Sequence, residues 1–302
     1  MDNTLTFLPK DLNEYKNLAY GSPWYRFRKR PVRYVIAQYI KRIHYPIFGK
    51  GIKIKTRTYY NQNMHVHLPA GMDIFLTGGK SHPSEVRLSF FLFNHLKSGQ
   101  CFADIGAHFG FYSLLASNIV GNHGQVISFE AASKTFYYLN NNIQKYKNIQ
   151  AHQAIVSNID GENILYCYPW LYSESNTTIP KTIPVSGSNV EVVRSLKSDT
   201  FFLQNQTIPD FIKMDIEGGE ENVLKGMVNL LCENPSIVII MEMHFPLMPE
   251  SAYYNAALYL QQSGYHSFLA DDGGSLLPFD PLRDPHPDQF TSDNLIFKKT
   301  ED

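Results

Sequence analysis

The sequence predicts an α/β fold in which a mostly parallel β-sheet is covered by helices on both faces. From residue 100 onward, short apolar strand-like runs alternate with helical segments, a pattern typical of parallel sheets. Hydrophobic residues make up 43% and charged residues 18% of the 302 residues, which is the composition of a packed globular protein and excludes a disordered or fibrous one. No apolar run approaches the ~20 residues that cross a bilayer, so no transmembrane helix is expected.

The charge is divided unevenly along the chain. Residues 1–60 carry 13 Lys and Arg against 3 Asp and Glu, which leaves 14 basic and 25 acidic residues in 61–302 of a chain whose net charge is -1. Apolar residues recur at helical spacing between Arg33 and Ile43, which predicts a short amphipathic basic helix bounded by Pro31 and Pro46. Either this basic arm, residues 26–57, contacts an anionic membrane face or another partner, or its helix packs on the protein body with the charges in solvent.

Residues 52–78 have the sequence pattern of β-strands. The runs IKIKTRTYY, MHVHLP and MDIFLTGG in residues 52–78 predict a small antiparallel β-element, and a helix is predicted from about Ser84 to Leu96. We therefore assign the arm and the β-element to residues 1–83 and the main domain to residues 84–302.

The main domain contains seven strand-like runs: CFADIG, QVISFEA, AHQAIV, DFIKMDIE, SIVIIMEM, HSFLAD and NLIFKK. Helical patterns lie between several of them: FYSLLASNIV, SKTFYYLNNNIQKY, EENVLKGMVNLLCE and SAYYNAALYLQQSG. Residues 162–200 carry no helix signal and are predicted to be an insertion between the third and fourth strands. At that edge of the sheet it is placed to act as a substrate lid, and a surface β-hairpin is the alternative.

The cysteines and the first residues of the chain indicate the cellular compartment in which the protein is expected. Cys101, Cys167 and Cys232 are odd in number and widely spaced, which argues against a disulfide framework or a structural zinc site. The first residues, MDNTLTFLPKDLNE, lack the basic and apolar regions of a signal peptide. A cytoplasmic protein is expected, with the inner membrane face as a peripheral location if the arm binds lipid.

A glycine turn joins the first strand of the main domain to its helix. Gly106 allows a tight turn, and Gly110 allows the helix and strand to approach closely. His108 stands where a dinucleotide site has the glycine that clears space for a pyrophosphate, and Asp104 precedes the turn. These two side chains favour a cofactor without phosphate that carries a positive centre, such as S-adenosylmethionine.

The second strand ends at Glu130, 24 residues after Gly106. A carboxylate at this place can accept hydrogen bonds from both ribose hydroxyls of an adenosine, in NAD and in S-adenosylmethionine alike. The alternative for Glu130 is a charge that stabilises the first turn of a helix. The third strand ends near Ala154, where a backbone amide could meet an adenine edge.

Ionisable residues end the fourth and fifth strands. Lys213, Asp215 and Glu217 are predicted on one face of the fourth strand, and Glu242 and His244 on one face of the fifth. If these strands are neighbours, the side chains converge at the carboxyl edge of the sheet. His244 or Asp215 would then be the base for a hydroxyl acceptor, and Lys213 would stabilise negative charge. A Mg²⁺ or Mn²⁺ ion held by Asp215, Glu242 and His244 is the alternative.

These motifs resemble the FkbM family of S-adenosylmethionine-dependent methyltransferases over roughly residues 85–245. The resemblance is carried by residues 104–113, 129–130, 213–220 and 242–244. It implies a Rossmann-like, seven-stranded methyltransferase sheet and O-methylation of a sugar or polyketide hydroxyl. Ala131-Ala132 and Gly219 depart from the family pattern, which commonly has a proline and an alanine there, and these changes affect loop shape more than chemistry.

The predicted site follows from these motifs. The predicted cofactor is S-adenosylmethionine, and its predicted binding residues are Asp104, Gly106, Ala107, His108, Gly110, Glu130, Ala131 and Ala154. The predicted catalytic residues are His244, Asp215, Glu242, Lys213 and Glu217. The predicted acceptor is a hydroxyl-bearing small molecule or glycan, in glycan or polysaccharide biosynthesis. The alternatives are an NAD-dependent oxidoreductase, a nucleic-acid methyltransferase, which the acidic edge disfavours, and a non-catalytic S-adenosylmethionine-binding protein.

Overall fold

The computed structural model describes residues 9–179, 187–287 and 292–299. The helices are α1 (Pro9–Tyr20), α2 (Pro23–Lys29), α3 (Pro31–Tyr39), α4 (Tyr45–Phe48), α5 (Met72–Thr77), α6 (Pro83–His95), α7 (Phe111–Val120), α8 (Ser133–Ile143), α9 (Ser198–Gln204), α10 (Glu220–Lys225), α11 (Val228–Glu233) and α12 (Ala252–Gln262). The strands are β1 (Ile52–Arg57), β2 (Asn63–Leu68), β3 (Cys101–Ile105), β4 (Gln125–Phe129), β5 (Ile149–His152), β6 (Ile155–Ser157), β7 (Gly161–Cys167), β8 (Asn189–Lys197), β9 (Phe211–Met214), β10 (Val238–His244), β11 (His266–Ala270), β12 (Leu276–Pro278) and β13 (Ser292–Lys298).

The central sheet has the strand order β12-β11-β13-β10-β9-β3-β4-β5. The strands from β10 to β5 in this order are parallel, and β13, β11 and β12 pair antiparallel at the other edge. The predicted α/β class is confirmed, but the sheet has eight strands rather than the seven expected. The additional strand, β12, has only three residues, too few for a recognisable alternation.

Helices cover both faces of this sheet, as predicted. Side chains from α1, α6, α7 and α8 form one apolar core with Phe102 and Phe211. Side chains from α9 to α12 form the other core with Ala103 and Ile212. Successive residues of β3 and β9 therefore enter opposite cores, which explains why these strands are apolar in almost every position.

The sheet reverses its direction of growth at β3, which pairs with β4 on one side and with β9 on the other. Loops that leave neighbouring strands in opposite directions open a crevice at the carboxyl edge of a parallel sheet. The loops after β3, β4, β9 and β10 meet there. The expectation that the fourth and fifth strands of the alternation are neighbours is confirmed, because β9 pairs with β10.

Three predicted elements of the main domain differ from the structure. AHQAIV is two strands, because β5 ends at His152 and β6 belongs to a separate sheet with β8 and β7. EENVLKGMVNLLCE is two helices that meet near Gly226, where the chain passes so close to Ser157 that a Cβ would lie 2.1 Å from its carbonyl oxygen. The strand predicted as DFIKMDIE ends at Met214, before the two acidic positions.

The predicted strand MDIFLTGG is helix α5. Residues 74–77 are all buried, so the short segment has no polar face from which a helical period could be read. The carboxylate of Asp73 accepts hydrogen bonds from the N–H groups of Ile74 and Ser81, which stabilises the first turn and the following loop. The other two runs form the predicted antiparallel pair, β1 and β2.

The arm is a set of helices rather than one short helix. α3 begins at Pro31 as predicted, but the helix does not end before Pro46 and continues through a π-helical turn, Ile40–His44, into α4. Proline lacks an N–H group and its ring collides with the carbonyl four residues earlier in a regular helix. The wider π turn displaces that carbonyl, so the helix passes Pro46 and ends at Gly49. In the described part of the chain, no helix is long and apolar enough to cross a membrane.

The predicted insertion, residues 162–200, contains β7, a 3-10 turn at Trp170–Ser175 and β8, and positions 180–186 lie outside the described residues. β7 and β8 pair antiparallel, and β6 adds a third, parallel strand. The Trp170 ring stacks on His67 of β2, with ring centroids 3.8 Å apart. The insertion therefore packs on the β-element that precedes the main domain.

Candidate active site

The turn after β3 lies directly against the loop after β9. Gly106 has a φ of 85°, and a Cβ at this position would lie 2.0 Å from the carbonyl oxygen of Asp215. The Asp215 N–H donates to the carbonyl of Ile105 at 3.0 Å, and the N–H groups of Gly106 and Ala107 both donate to the carbonyl of Phe129 at 2.9 Å. The conformation and the contact both require glycine. This turn holds the ends of β3, β4 and β9 together.

Glu130 follows β4, and its carboxylate is fixed by three donors. One oxygen accepts from the N–H of His108 at 2.8 Å, and the other accepts from the N–H of Ala132 at 2.9 Å and the hydroxyl of Thr135 at 2.6 Å. Burial raises the pKa of Glu130, and these hydrogen bonds oppose the rise. A carboxylate has about four acceptor sites. Glu130 therefore keeps capacity to accept a hydrogen bond from a ligand.

A cavity of about 770 Å³, including its opening to solvent, lies at the carboxyl ends of β3, β4 and β9. Its apolar wall includes Phe129, Ala154, Ile155, Val156 and Leu165. Its charged lining residues are Lys80, Glu130, Glu174 and Asp215. An elongated ligand with an apolar ring at one end and charged groups at the other suits such a lining.

His108 joins the glycine turn to the insertion. It has a φ of 51°, and its Nε2 atom lies 3.0 Å from the hydroxyl oxygen of Ser173. Burial lowers the pKa of His108 to about 3, with a smaller contribution from Lys80. The ring is therefore neutral at physiological pH and acts as a hydrogen-bonding wall of the cavity.

Two buried residues of opposite charge lie on neighbouring strands of the sheet next to the cavity. Asp104 of β3 is paired in register with Lys213 of β9, and both point to the face covered by α7. The hydroxyl of Ser113 donates to Asp104 at 2.6 Å, and the Lys213 ammonium lies 5.0 Å from the centre of the Tyr112 ring. Burial alone would lower the pKa of Lys213, but Asp215 and Asp104 raise it above its ordinary value. Lys213 is therefore a fixed positive charge.

A second pocket adjoins the cavity and is strongly acidic. It encloses about 680 Å³, including its opening to solvent. Its lining residues are Asp73, Lys80, His82, Glu85, Glu174, Ser175, Asp215, Glu217 and Glu242. Three of these, Lys80, Glu174 and Asp215, also line the first cavity. We refer to the two as the cofactor cavity and the acidic pocket, and they meet at these three side chains.

Asp215 is held between two ammonium groups at this junction. Its Oδ2 atom lies 3.1 Å from Nζ of Lys213 and 3.5 Å from Nζ of Lys80. Burial by itself would raise the pKa of Asp215, but Lys213 and Lys80 hold it well below its usual range. Asp215 is therefore ionised at every physiological pH and is a weak proton acceptor.

Three other carboxyl groups of the acidic pocket, those of Glu242, Asp73 and Glu174, have the opposite shift. Burial and the neighbouring Asp215 raise the pKa of Glu242 well above its usual range, so Glu242 carries a proton that it shares with Asp215. Burial also raises the pKa of Asp73 to about 6, opposed by Lys80. Burial raises the pKa of Glu174 to about 7, opposed by Lys80, and the nearby Asp73 and Asp215 add to the rise.

His244 lies beside the acidic pocket rather than in its lining. Its Nε2 atom is 3.7 Å from Oε2 of Glu217, its side chain is 42% exposed, and its ring packs on Tyr253. Glu217 has a φ of 56°, so the chain has left the strand conformation there. The alternation that predicted a shared face therefore stops before Glu217.

The structure brings together part of the predicted site. Five predicted cofactor-binding residues line the cofactor cavity: Gly106, His108, Glu130, Ala131 and Ala154. Three do not line it: Asp104, Ala107 and Gly110. Three predicted catalytic residues line the acidic pocket: Asp215, Glu217 and Glu242. Lys213 lies behind Asp215, and His244 lines neither cavity.

Four charged residues that line the acidic pocket were not predicted from the sequence. They are Asp73, Lys80, Glu85 and Glu174. Lys80 Nζ donates to Glu85 Oε1 at 2.7 Å, and the Tyr112 hydroxyl donates to the other oxygen of Glu85. Asp73 and Lys80 precede the main domain, Glu85 lies in α6 at its start, and Glu174 belongs to the insertion, so only packing brings them together. The Gly78-Gly79 turn before Lys80 is the one local signal of a functional loop.

The alternative metal site is not assembled. Within residues 9–179, 187–287 and 292–299, no group of three or more His, Cys, Asp or Glu side chains has an arrangement that could hold a metal ion. His244 approaches Glu217, and Asp215 is neutralised by two lysines instead.

The chain was compared with known proteins. The sequence model of the FkbM methyltransferase domain family matches residues 104–267, which are more than half of the chain. No curated protein matches the chain significantly.

Solved structures with a similar fold include the FkbM methyltransferase of Methylobacillus flagellatus KT, with 16% identity and a TM-score of 0.43 over 76% of this chain and 52% of that one. This chain thus spans about half the length of that protein. Fibrillarin of Aeropyrum pernix, in complex with natively bound S-adenosyl-L-methionine, has 11% identity and a TM-score of 0.42 over 81% of each chain. An O-methyltransferase of Bacillus cereus in complex with SAH has 12% identity and a TM-score of 0.39 over 70% of this chain and 78% of that one.

Proposed function

Because this chain belongs to the FkbM methyltransferase family, we propose that it transfers a methyl group from S-adenosylmethionine to a hydroxyl group of a sugar, a glycan or a related metabolite. The observation that carries the proposal is the junction of two cavities at Lys80, Glu174 and Asp215. One cavity suits the cofactor, and the other presents groups that can bind a hydroxyl and accept its proton.

The residues of the cofactor cavity fit S-adenosylmethionine. Glu130 would hold the ribose hydroxyls, and the apolar wall around Ile155 and Leu165 would hold the adenine. Asp215 and Glu174 would face the positive groups of the methionine part, and Lys80 would face its carboxylate. When bound, S-adenosylmethionine supplies an electrophilic methyl group.

The acidic pocket would bind the acceptor next to that methyl group. Ionised Asp215 can accept a hydrogen bond from an acceptor hydroxyl, and its two lysine partners keep it fixed in place. Such positioning can lower the activation free energy by up to ~7–11 kcal/mol in favourable cases. Neutral Glu242 can donate or accept a further hydrogen bond.

We propose Glu174 as the general base. It lines both cavities and its pKa is raised to about 7, so it can take the hydroxyl proton near neutral pH. Asp215 is a poor base because two ammonium groups stabilise its ionised form. His244, the other predicted base, packs outside both cavities, and we propose that it supports Glu217.

The alternative functions fit the junction less well. The pyrophosphate of NAD would face the carboxylates of Glu174 and Asp215, and a nucleic-acid acceptor would bring phosphates into the acidic pocket. A purely structural S-adenosylmethionine-binding protein would gain nothing from buried carboxyl groups that are costly to desolvate.

A methyl-transfer screen tests the proposal. The protein is incubated with S-adenosylmethionine carrying an isotopically labelled methyl group and with a set of nucleotide sugars and glycans. We expect label to enter one class of acceptor as an ether, which resists base hydrolysis, and to disappear with Glu174→Gln. Label on nitrogen, or on RNA or DNA, would contradict the proposed acceptor class.

A further inference from the structure

The helical arm exposes a row of large apolar side chains to solvent. Val32, Val35, Tyr39, Ile43 and Ile47 follow one another at intervals of three or four residues, and their exposed fractions lie between 48% and 70%. This spacing places them on one side of the continuous helix formed by α3, the π turn and α4. We call these five side chains the exposed row.

The exposed row is distinct from the side by which the arm packs on the protein. Ala37 and Ile40 of the same helix are buried in the core next to α5. Trp24 of α2 adds a further aromatic side chain that is 69% exposed. Soluble proteins rarely leave contiguous apolar surface of this kind uncovered, and such surface marks a site of contact with a protein or a membrane.

The segment that carries the row contains charged residues of positive sign only. No Asp or Glu occurs from position 15 to position 72. Three arginines of the arm form hydrogen bonds with the rest of the protein. Arg26, Arg30 and Arg33 donate to the backbone carbonyls of Leu18, Leu76 and Phe75, respectively. The remaining basic side chains of the arm are exposed: Arg28, Lys29, Lys41, Arg42, Lys50, Lys53, Lys55 and Arg57.

We propose that the arm docks this protein on the surface of an anionic phospholipid bilayer. The exposed row would enter the boundary between headgroups and acyl chains, as the apolar face of an interfacial helix does. The exposed Lys and Arg would contact the anionic headgroups, and Trp24 would lie at the interface, where tryptophan is enriched. Polyanions such as nucleic acids offer the same charge but no apolar layer for the exposed row.

The arm is rigidly connected to the acidic pocket. Arg30 and Arg33 bind the carbonyl groups of α5, and Asp73 at the start of α5 lines the pocket. Docking would thus bring that pocket near the bilayer, where an acceptor with a lipid anchor would be concentrated. The docking proposal itself does not depend on the proposed methyl transfer.

Sedimentation with lipid vesicles tests the docking. We expect the full chain to bind vesicles of phosphatidylcholine mixed with phosphatidylglycerol and to bind much less to phosphatidylcholine alone. Added salt should weaken binding because it screens the headgroup charge. The double variant Lys41→Gln/Arg42→Gln should bind about 30-fold more weakly, since each basic residue near such a surface contributes about 1 kcal/mol and about 1.4 kcal/mol is a factor of ten.

The apolar contribution is tested with Val35→Ser/Ile47→Ser. We expect at least a tenfold loss of vesicle binding, since both side chains would be buried in the bilayer. The matched control is Val190→Ser/Val192→Ser, which changes two valines of β8 that are 58% and 68% exposed, and it should bind as the unmodified chain does. Circular dichroism and thermal melting check that each variant is folded.

Fluorescence gives a readout that needs no variant of the row. The chain has two tryptophans, Trp24 and Trp170, and Trp170 is stacked on His67. Brominated lipids in anionic vesicles should quench the unmodified chain and leave Trp24→Phe unquenched. Absence of binding at low salt, equal binding to neutral vesicles, or a dimer that Val35→Ser/Ile47→Ser disrupts would each overturn the proposal.

Discussion

The acidic pocket and the basic arm are both rich in charge, but their charges are satisfied in different ways. In the acidic pocket, carboxyl groups and lysines lie within a few ångströms of one another, as with the 3.1 Å between Lys213 and Asp215, and Lys213 is 1% exposed. In the arm, three arginines bind backbone carbonyls and the other basic side chains extend into solvent. Buried charges set each other's pKa, whereas solvated charges of one sign act as a surface.

This difference agrees with the two roles that we propose, catalysis for the acidic pocket and docking for the arm. Asp215 and Glu242 are neighbouring carboxyl groups whose pKa values are shifted in opposite directions, Asp215 by two lysines and Glu242 by burial. Such pairs are typical of catalytic sites. The arm, residues 26–57, contains no Asp or Glu that could create a comparable pair, and the role that we propose for it is a contact rather than a reaction.

The largest expected effect is on turnover. Glu174→Gln removes the proposed base and should lower kcat by about 10²–10⁴-fold. The matched arm variant, Arg42→Gln, should leave the turnover of a water-soluble acceptor unchanged. Steady-state kinetics with the acceptor found by the screen provide the measurement. Equal turnover in Glu174→Gln and the unmodified enzyme would remove Glu174 from the mechanism, and a comparable loss in His244→Gln would return the role to His244.

The second effect compares one lysine from each region. Lys213→Met leaves Asp104 and Asp215 without their buried partner and should lower the free energy of unfolding by about 3–5 kcal/mol. Lys41→Met removes an exposed lysine of the arm and should change that free energy by less than about 0.5 kcal/mol. Urea unfolding followed by circular dichroism measures both. Equal stabilities would mean that the buried network is weaker than its distances indicate.

The third effect compares two glycines with positive φ. Gly106→Ala places a Cβ 2.0 Å from the Asp215 carbonyl oxygen, whereas Gly49→Ala in the arm, at a φ of 61°, meets no atom within 4 Å. Both variants strain the backbone by about 1–2 kcal/mol. Only Gly106→Ala must also move the loop after β9. It should therefore lose cofactor binding and melt at a lower temperature than Gly49→Ala.

The smallest expected effect is on the pH profile. The base must be ionised to accept a proton, and the pKa of Glu174 is raised to about 7. The rate of methyl transfer should therefore reach a plateau above about pH 7 and fall about tenfold per pH unit below it. Asp73→Asn should keep this limb, because the pKa of Asp73 is about 6 and this residue is not the proposed base. A limb that persists in Glu174→Gln would assign it to another group.

Much of the cofactor side could be predicted from the sequence, because local rules determine it. A strand, a glycine turn, a helix and an acidic residue at the end of the next strand are contiguous features, and Gly106 and Glu130 do line the cofactor cavity. The acidic pocket depends on long-range packing. Lys80 and Asp215 are separated by 135 positions and meet only because the fold brings the loop between α5 and α6 to the carboxyl end of β9.

The differences between the predicted and the observed positions have the same origin. Strand alternation predicted one face for Lys213, Asp215 and Glu217, but β9 ends at Met214, and the turn that follows, rather than the strand, brings Glu217 to the acidic pocket beside Asp215. His244 has the right residue type at a strand end, yet its exposure and its contact with Glu217 depend on the loop after β9. Sequence patterns specify elements and their ends, whereas the direction of a side chain in a loop follows from the neighbours that the fold supplies.

The central claim is that the cavity at Gly106 and Glu130 binds S-adenosylmethionine, and calorimetric titration tests it most directly. The claim predicts one S-adenosylmethionine bound per chain, no binding of NAD, and an affinity about 10- to 100-fold lower in Glu130→Gln, because a charged hydrogen-bond acceptor for the ribose is lost. Binding of NAD without binding of S-adenosylmethionine would contradict the claim.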